Sequence, residues 1–499
     1  MEGLKKKTLS GFFYKFMERG ASQGINFLVQ IILARILMPE EFGTIALLTV
    51  FIHILDVFVT FGFGNSLIVN KKSDDLDFST CFYFGIALAL VIYGTVYLTA
   101  PFISNYFYGS DELDLLIRVM AIRIPFAAVN SVQHAYVAKQ MRFRLFFYAT
   151  LIGTVLSGII SITMAYSGCG LWALVVQYLS NSVINTVTLW FFAKWRPKWM
   201  FSFQRLKAIY DYGWKILAVG LIDTIYSQVR SLVIAKQYSK ADLAYYNRGI
   251  SFPSFGMKLI EPTINGVLFP SLSSCNDNPK MMKSITQRII KTSTFIITAI
   301  MGILAASATP LIRVLLTDKW LDSVVFLQIA CLGYLFRPLQ VINTCVIRAS
   351  GRSGLLLKLD LLKKGIGIVL LIISMRFGVV AIAWSYVLAN LIATLINIYP
   401  NREILQYGYR EQFRDLAENL IVGTLMFVAI WLLTLLPLKA FPILVLQCLL
   451  GAALFIGLSK LFKVDSYGYL KQLISDLMNS KVGKKVTVSV DGTDENTDC

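Results

Sequence analysis

Charged residues make up only 15% of the 499 residues, against roughly a quarter in soluble domains, while 56% are hydrophobic. That balance, with a mean hydropathy of +0.64, excludes a soluble protein of two or three domains. Histidine is nearly missing, with His53 and His134 alone, and the seven cysteines form no CxxC pair. Neither a metal centre nor a disulfide framework is expected. Most of the cysteines fall inside apolar stretches, where burial as small hydrophobes is the simpler use. The chain has no GxxxxGK[ST], so ATP is not the expected driver, and it has neither GxSxG nor HExxH. A cleavable signal peptide is not expected. Lys5–Lys7 resemble its basic start, but the apolar run behind them carries Lys15, Glu18 and Arg19 and continues too far.

Apolar bands of membrane-spanning length are abundant. A helix needs about 20 residues to cross the hydrocarbon. Fourteen bands meet that length, the first at 12–38 and the last at 441–462. They are continuous rather than alternating, which excludes a β-barrel. The expected fold is an all-α integral membrane protein with fourteen transmembrane helices. Numbering the loops alternately, one side carries 29 Lys and Arg and the other 5. The positive-inside rule then places both termini in the cytoplasm. The net charge of +18 suits anionic membrane lipids rather than nucleic acid. No outer loop exceeds about ten residues, and acidic pairs suited to glycosyl transfer are not evident there. An enzyme is therefore not expected.

An internal repeat is visible. Leu33-Ala34-Arg35 with Glu41-Phe42-Gly43 maps at an offset of 201 onto Ile234-Ala235-Lys236 with Asp242-Leu243-Ala244. Gly170-Leu171-Trp172-Ala173-Leu174 maps at 208 onto Gly378-Val379-Val380-Ala381-Ile382, and Pro125 and Asn130 map at 213 onto Pro338 and Asn343. Three matches in order predict two pseudo-symmetric six-helix lobes, 1–194 and 208–400, joined by a basic cytoplasmic linker at 195–207. Two extra spans at 401–465 and a cytoplasmic tail at 466–499 follow. The end of the tail, rich in Asp, Gly and Thr, is expected to be disordered.

Several stretches carry a family likeness: Glu18-Arg19 with Gln23, the run Leu33-Ala34-Arg35-Ile36-Leu37-Met38-Pro39-Glu40-Glu41-Phe42-Gly43, Tyr245-Tyr246-Asn247-Arg248, and Phe269-Pro270-Ser271-Leu272-Ser273. With them the chain resembles the polysaccharide flippases of the multidrug/oligosaccharidyl-lipid/polysaccharide exporter superfamily, in particular the O-antigen and colanic-acid exporters. The resemblance covers about residues 8–465. It implies two six-helix bundles in a V around a cationic cavity. Alternating access would move an undecaprenyl-pyrophosphate-linked oligosaccharide from the cytoplasmic to the outer leaflet of the bacterial inner membrane, for surface polysaccharide synthesis. It implies no cofactor, with H+, Na+ or the membrane potential as driver, and contact with other polysaccharide assembly proteins. Two alternatives stay open: an organic-cation antiporter of the same superfamily, and a non-catalytic partner in polysaccharide assembly.

Charges inside spans need a protein or water environment, which makes them the candidate site residues. Arg19, Gln23, Asn26 and Gln30 recur at 4, 3 and 4 and form one polar stripe on the first span. Arg19 either meets an anionic headgroup, with the amides on sugar hydroxyls, or pairs with Glu18 or snorkels to the surface. Arg123, Arg230, Arg248 and Lys258 are the other candidate cations for pyrophosphate. Arg230 has the alternative of an internal salt bridge to Asp223. His53 and Asp56 share a face and either relay protons or hydrogen-bond between helices. Asp56, Asp223 and Glu261 are the candidate coupling carboxylates. His134 is expected to be an interfacial, hydrogen-bonded histidine, and the Lys358, Asp360, Lys363, Lys364 cluster to snorkel.

Overall fold

The computed structural model describes residues 2–60, 63–69, 73–108, 113–276 and 278–480. The tail from Lys481 onward, including the segment expected to be disordered, lies outside the described residues. Every regular element among the described residues is helical. The first eight are α1 (Glu2–Ile36), α2 (Pro39–Thr60), α3 (Phe63–Val69), α4 (Asp75–Tyr108), α5 (Asp114–Ala121), α6 (Arg123–Lys139), α7 (Phe143–Tyr166) and α8 (Leu171–Ala193). Then come α9 (Phe203–Gln237), α10 (Lys240–Ser274), α11 (Pro279–Ala306), α12 (Ala308–Leu315), α13 (Ser323–Leu335), α14 (Arg337–Ala349), α15 (Ser353–Ser374) and α16 (Val379–Ile404). The last three are α17 (Tyr409–Trp431), α18 (Ala440–Leu461) and α19 (Asp465–Ser480).

Local chemistry explains where these helices begin and break. Proline lacks a donor and its ring crowds the preceding turn. Pro125 and Pro338 accordingly stand in the first turns of α6 and α14, just after the breaks at Ile122 and Phe336. At the start of α2 the Met38 N–H donates to the Glu41 carboxylate at 2.8 Å. At the start of α10 the Ser239 N–H donates to Asp242 at 3.1 Å, and the Asp242 N–H returns a bond to Ser239 Oγ at 3.0 Å. The equivalent turns stand 201 residues apart, and the helices that lead into them, α1 and α9, are both 35 residues long.

Among the described residues, ten helices, counting α5–α6 and α13–α14 as continuous, are long and apolar enough to cross a membrane. The chain is a multi-pass membrane protein. Four further bands counted from sequence form α1, α8, α10 and α15, which have the length of a span but are too polar to join the ten. Each of the four carries amides or charges of the candidate site or the Asp360–Lys364 cluster.

The chain divides into two compact units. The first comprises residues 1–263, 308–333 and 360–392, and α1, α2 and α6 to α9 form its centre. Small residues let its helices approach: a Cβ on Gly158 of α7 would stand 2.6 Å from Val29 of α1. The Phe42 and Trp320 rings meet edge to face, 5.3 Å apart, where the α1–α2 turn packs on the segment before α13. There Trp320 Nε1 donates to the Ala34 carbonyl at 2.8 Å, and Lys319 Nζ donates to the carbonyls of Arg35 (2.9 Å) and Leu37 (2.6 Å). Burial pushes the Lys319 ammonium below the usual lysine range, against the pull of the Glu41 carboxylate.

The second unit comprises residues 264–307, 334–359 and 393–499. In it α17 and α18 pack on α11, with Thr298 and Met426 seated over Gly423 and Gly302. A buried amide network joins α14, α16 and α17. Asn343 Nδ2 donates to Gln412 Oε1 at 2.9 Å, Gln412 Nε2 returns a bond to Asn343 Oδ1 at 3.1 Å, and Asn401 donates to the same oxygen. Replacing Asn343 by Leu takes the Asn343 Nδ2 donor from Gln412 Oε1, while Gln412 Nε2 keeps the Tyr407 carbonyl and Asn401 Nδ2 keeps the main-chain carbonyls of residues 343 and 397. At about 1–3 kcal/mol for one orphaned buried acceptor, we expect a fall of a few degrees in Tm in a detergent melt; an unchanged Tm would show the network to be dispensable.

Candidate functional site

Three residues of the α1 polar stripe, Gln23, Asn26 and Gln30, face a cavity. In the first unit α1, α2, α3, α6, α7 and α8 line this cavity of about 720 Å³. Seven amides line it: Gln23, Asn26 and Gln30 from α1, Asn130 from α6, and Gln177, Asn181 and Asn185 from α8. Five of them, Gln30, Asn130, Gln177, Asn181 and Asn185, are held by one another and by neighbouring hydroxyls. Gln30 Nε2 donates to Gln177 Oε1 at 3.0 Å, Asn130 Nδ2 to Asn185 Oδ1 at 3.2 Å, and Asn181 Nδ2 to Ser157 Oγ at 3.2 Å. Such a wall offers fixed donors and acceptors without net charge, which suits hydroxyl-rich ligands.

One ion pair stands in this wall. Arg123 Nη2 of α6 meets Asp56 Oδ2 of α2 at 2.9 Å. Among the described residues, two buried atoms of the pair, Asp56 Oδ1 and Arg123 Nε, find no hydrogen-bond partner. The guanidinium is thus tethered by one tooth, with donors left for a second oxyanion. His53 lies one turn from Asp56 at the cavity edge, and His134 stacks on Phe146 with the rings 4.1 Å apart. Among the residues lining the cavity, Asp56 is the single carboxylate.

A second cavity of about 240 Å³ adjoins the first and shares Gln30, His53 and Tyr178 with it. Arg248 of α10 lines it, only 9% exposed. Its guanidinium donates to Gln30 Oε1 at 3.4 Å and lies 4.7 Å from the Phe42 ring and 5.3 Å from that of Trp320.

The other candidates stand elsewhere. Arg230 of α9 is 6% exposed between the rings of Tyr226 and Tyr386, at 5.6 and 5.4 Å. Among the described residues its Nε and Nη2 find no hydrogen-bond partner, and the salt bridge to Asp223 that offered an alternative is not formed. Asp223 pairs instead with Lys364, which also holds Asp360 at 2.6 Å. Arg19 and Lys258 are exposed and Glu261 is half-buried; none of the three lines either cavity. The α8 amides were not singled out from sequence, although Gln177, Asn181 and Asn185 repeat every four residues and mark one helical face.

A family model described as polysaccharide biosynthesis protein matches residues 32–325. The succinoglycan biosynthesis transport protein ExoT of Rhizobium meliloti (strain 1021) is 23% identical over 62% of this chain, and the match spans 62% of ExoT, under two thirds of its length. The lipopolysaccharide biosynthesis protein WzxC of Escherichia coli (strain K12) is 22% identical over 83% of this chain and 85% of its own. In fold the chain is similar to the lipid II flippase MurJ in an inward closed conformation, with a TM-score of 0.75 and 16% identity over 92% of this chain and 99% of that one. With the family model covering more than half of its residues, this chain belongs to the polysaccharide biosynthesis protein family.

Proposed function

We propose that this protein is a flippase that carries a lipid-linked oligosaccharide across the bacterial cytoplasmic membrane by alternating access. The observation that carries the reading is the amide-lined cavity with its singly tethered Arg123, enclosed by membrane helices. The amides would hold sugar hydroxyls, Arg123 would take the pyrophosphate of a polyprenyl carrier, and the lipid tail would stay in the bilayer. The names of the relatives point the same way: ExoT is a transport protein of succinoglycan biosynthesis and MurJ a lipid II flippase. An organic-cation antiporter is disfavoured, because the single cavity carboxylate is already neutralised by Arg123.

The same reading takes α1, α8, α10 and α15 as spans, giving fourteen in a six, six and two arrangement with both termini cytoplasmic. Their lengths of 35, 23, 35 and 22 residues and the 29-to-5 division of basic residues between the loops support it. Energy would come from an ion gradient or the membrane potential rather than a bound cofactor, with Asp56 as the carboxylate placed to exchange a proton or sodium ion. Arg230 and Arg19 are secondary candidates for the anionic headgroup.

Deleting the gene and labelling lipid-linked glycan by leaflet tests the function directly. We expect the glycan to accumulate on the cytoplasmic face and surface polysaccharide to be lost, with both restored by the wild-type gene. Unchanged display in the outer leaflet would overturn the proposal.

A further inference from the structure

The smaller cavity has no role in the scheme above. It lies on the same helix as the larger one but nearer the start of α2. Phe42, Ala46 and Thr49 line the small cavity, His53 borders both, and Asp56 and Thr60 line the large one. Under the proposed topology α2 starts at the outer surface, so the small cavity stands between the main chamber and the outside. Its 240 Å³ hold about eight waters, the bulk of one pyranose ring.

Its chemistry is specific. Arg248 is the one Lys, Arg, Asp or Glu among the residues that line it, and Gln228, Ser231 and Asn247 supply amides and a hydroxyl around it. Ser231 Oγ already donates to Asn247 Oδ1 at 3.3 Å, which fixes that wall. A guanidinium has five N–H donors, and among the described residues Arg248 makes one hydrogen bond, to Gln30 Oε1. A desolvated arginine with donors to spare and no carboxylate beside it is built for a planar oxyanion.

We propose that the small cavity is a subsite for an acidic sugar of the transported glycan, and that its carboxylate draws Arg248 off the Phe42–Trp320 pair, loosening the outer turns. The inference rests on the flippase reading and its topology. Trp320 and Lys319 hold the end of α1 through the carbonyls of Ala34, Arg35 and Leu37. Arg248 lies against Phe42 and Trp320, so the group that senses the ligand also contacts the clasp. The pyrophosphate is tied to a tail that stays in lipid and belongs at Arg123. The part of the headgroup that reaches deepest is the glycan.

Hydrogen exchange on the full chain in nanodiscs tests this, read at peptides covering 34–43 and 314–321. Glucuronate, glucose and inorganic pyrophosphate are added separately at equal concentration. Glucuronate should speed exchange there about fivefold in the wild type and leave Arg248→Gln unchanged, while glucose and pyrophosphate do nothing at these peptides. No response to glucuronate, an equal response in Arg248→Gln, or a response to pyrophosphate as large as to glucuronate would each overturn the acidic-sugar assignment. Should Arg248→Gln fail to reach the membrane, Arg248→Lys replaces it; Lys keeps the charge but loses the two-toothed grip, and a full glucuronate response in it would also count against the proposal. In the deletion host, wild type that fails to restore outer-leaflet glycan would sink the flippase reading itself. Wild type that restores it alongside an equally active Arg248→Gln would sink the subsite alone.

Discussion

A Gly43→Ala chain should lose most of its folded protein from the membrane, although the exchange is favourable for an isolated helix by about 1 kcal/mol. Gly43 lies in the first turn of α2, against the first residue of α10. A Cβ built there would overlap the carbonyl carbon and oxygen of Lys240 and stand 3.0 Å from its Cα. The obstacle is main chain and cannot swing aside like the end of a flexible side chain. The two turns must separate, and with them Leu33, Ala34, Ile234 and Ala235, all buried nearby. Overpacking of this kind costs about 3 kcal/mol at the upper end of its usual range. Gly20→Ala is the matched control, since nothing lies within 4 Å of its added Cβ. Thermal unfolding followed by size-exclusion should show a large fall in Tm for Gly43→Ala and none for Gly20→Ala. Equal Tm values would show that the two turns yield without cost.

The ion pair in the main cavity should separate stability from transport. Arg123→Gln strands the Asp56 carboxylate, and Asp56→Asn strands the guanidinium. Each is expected to cost about 3 kcal/mol, the lower end for breaking a buried pair, because the pair borders an open cavity with 19% and 15% of its side chains exposed. The double variant Asp56→Asn, Arg123→Gln removes both charges and should recover most of that loss. Transport should not recover. A hydrogen bond from a cation to the substrate oxyanion is worth about 1.5–3 kcal/mol, so the double variant should flip lipid-linked glycan about tenfold to a hundredfold more slowly. A stable double variant with wild-type transport would remove Arg123 from the substrate path and leave the pair a structural tie.

The helices were legible in the sequence because the bilayer demands continuous apolar length, and the mid-band breaks follow from Pro125 and Pro338. The α1 stripe was legible for the same reason of period: Gln23, Asn26 and Gln30 do line one cavity, while Arg19, one turn earlier, stands outside it. Pairing was not legible. Asp56 and Arg123 were each singled out, yet nothing local joins residues 67 positions apart. Asp223 has an arginine two turns away on its own helix and takes a lysine 141 residues distant instead. The α8 amides carry no charge and so looked unexceptional in an apolar band. Trp320, in a short polar turn, gave no sign that it would be fully buried.

The clasp between the α1 end and the Lys319–Trp320 turn is written on one side only. Its acceptors are the main-chain carbonyls of residues 34, 35 and 37, which every residue type possesses, whereas its donors are two particular side chains. Genetic drift therefore meets the two halves unequally. Exchanging the exposed Arg35 deletes no acceptor and gives up only its own 3.3 Å bond to the Val314 carbonyl, while a change at 319 or 320 to a residue without a side-chain donor removes a donor outright. Because the bonds join an ammonium and an indole to neutral oxygens rather than to a carboxylate, they should also hold at ionic strengths that dissolve the surface ion pairs.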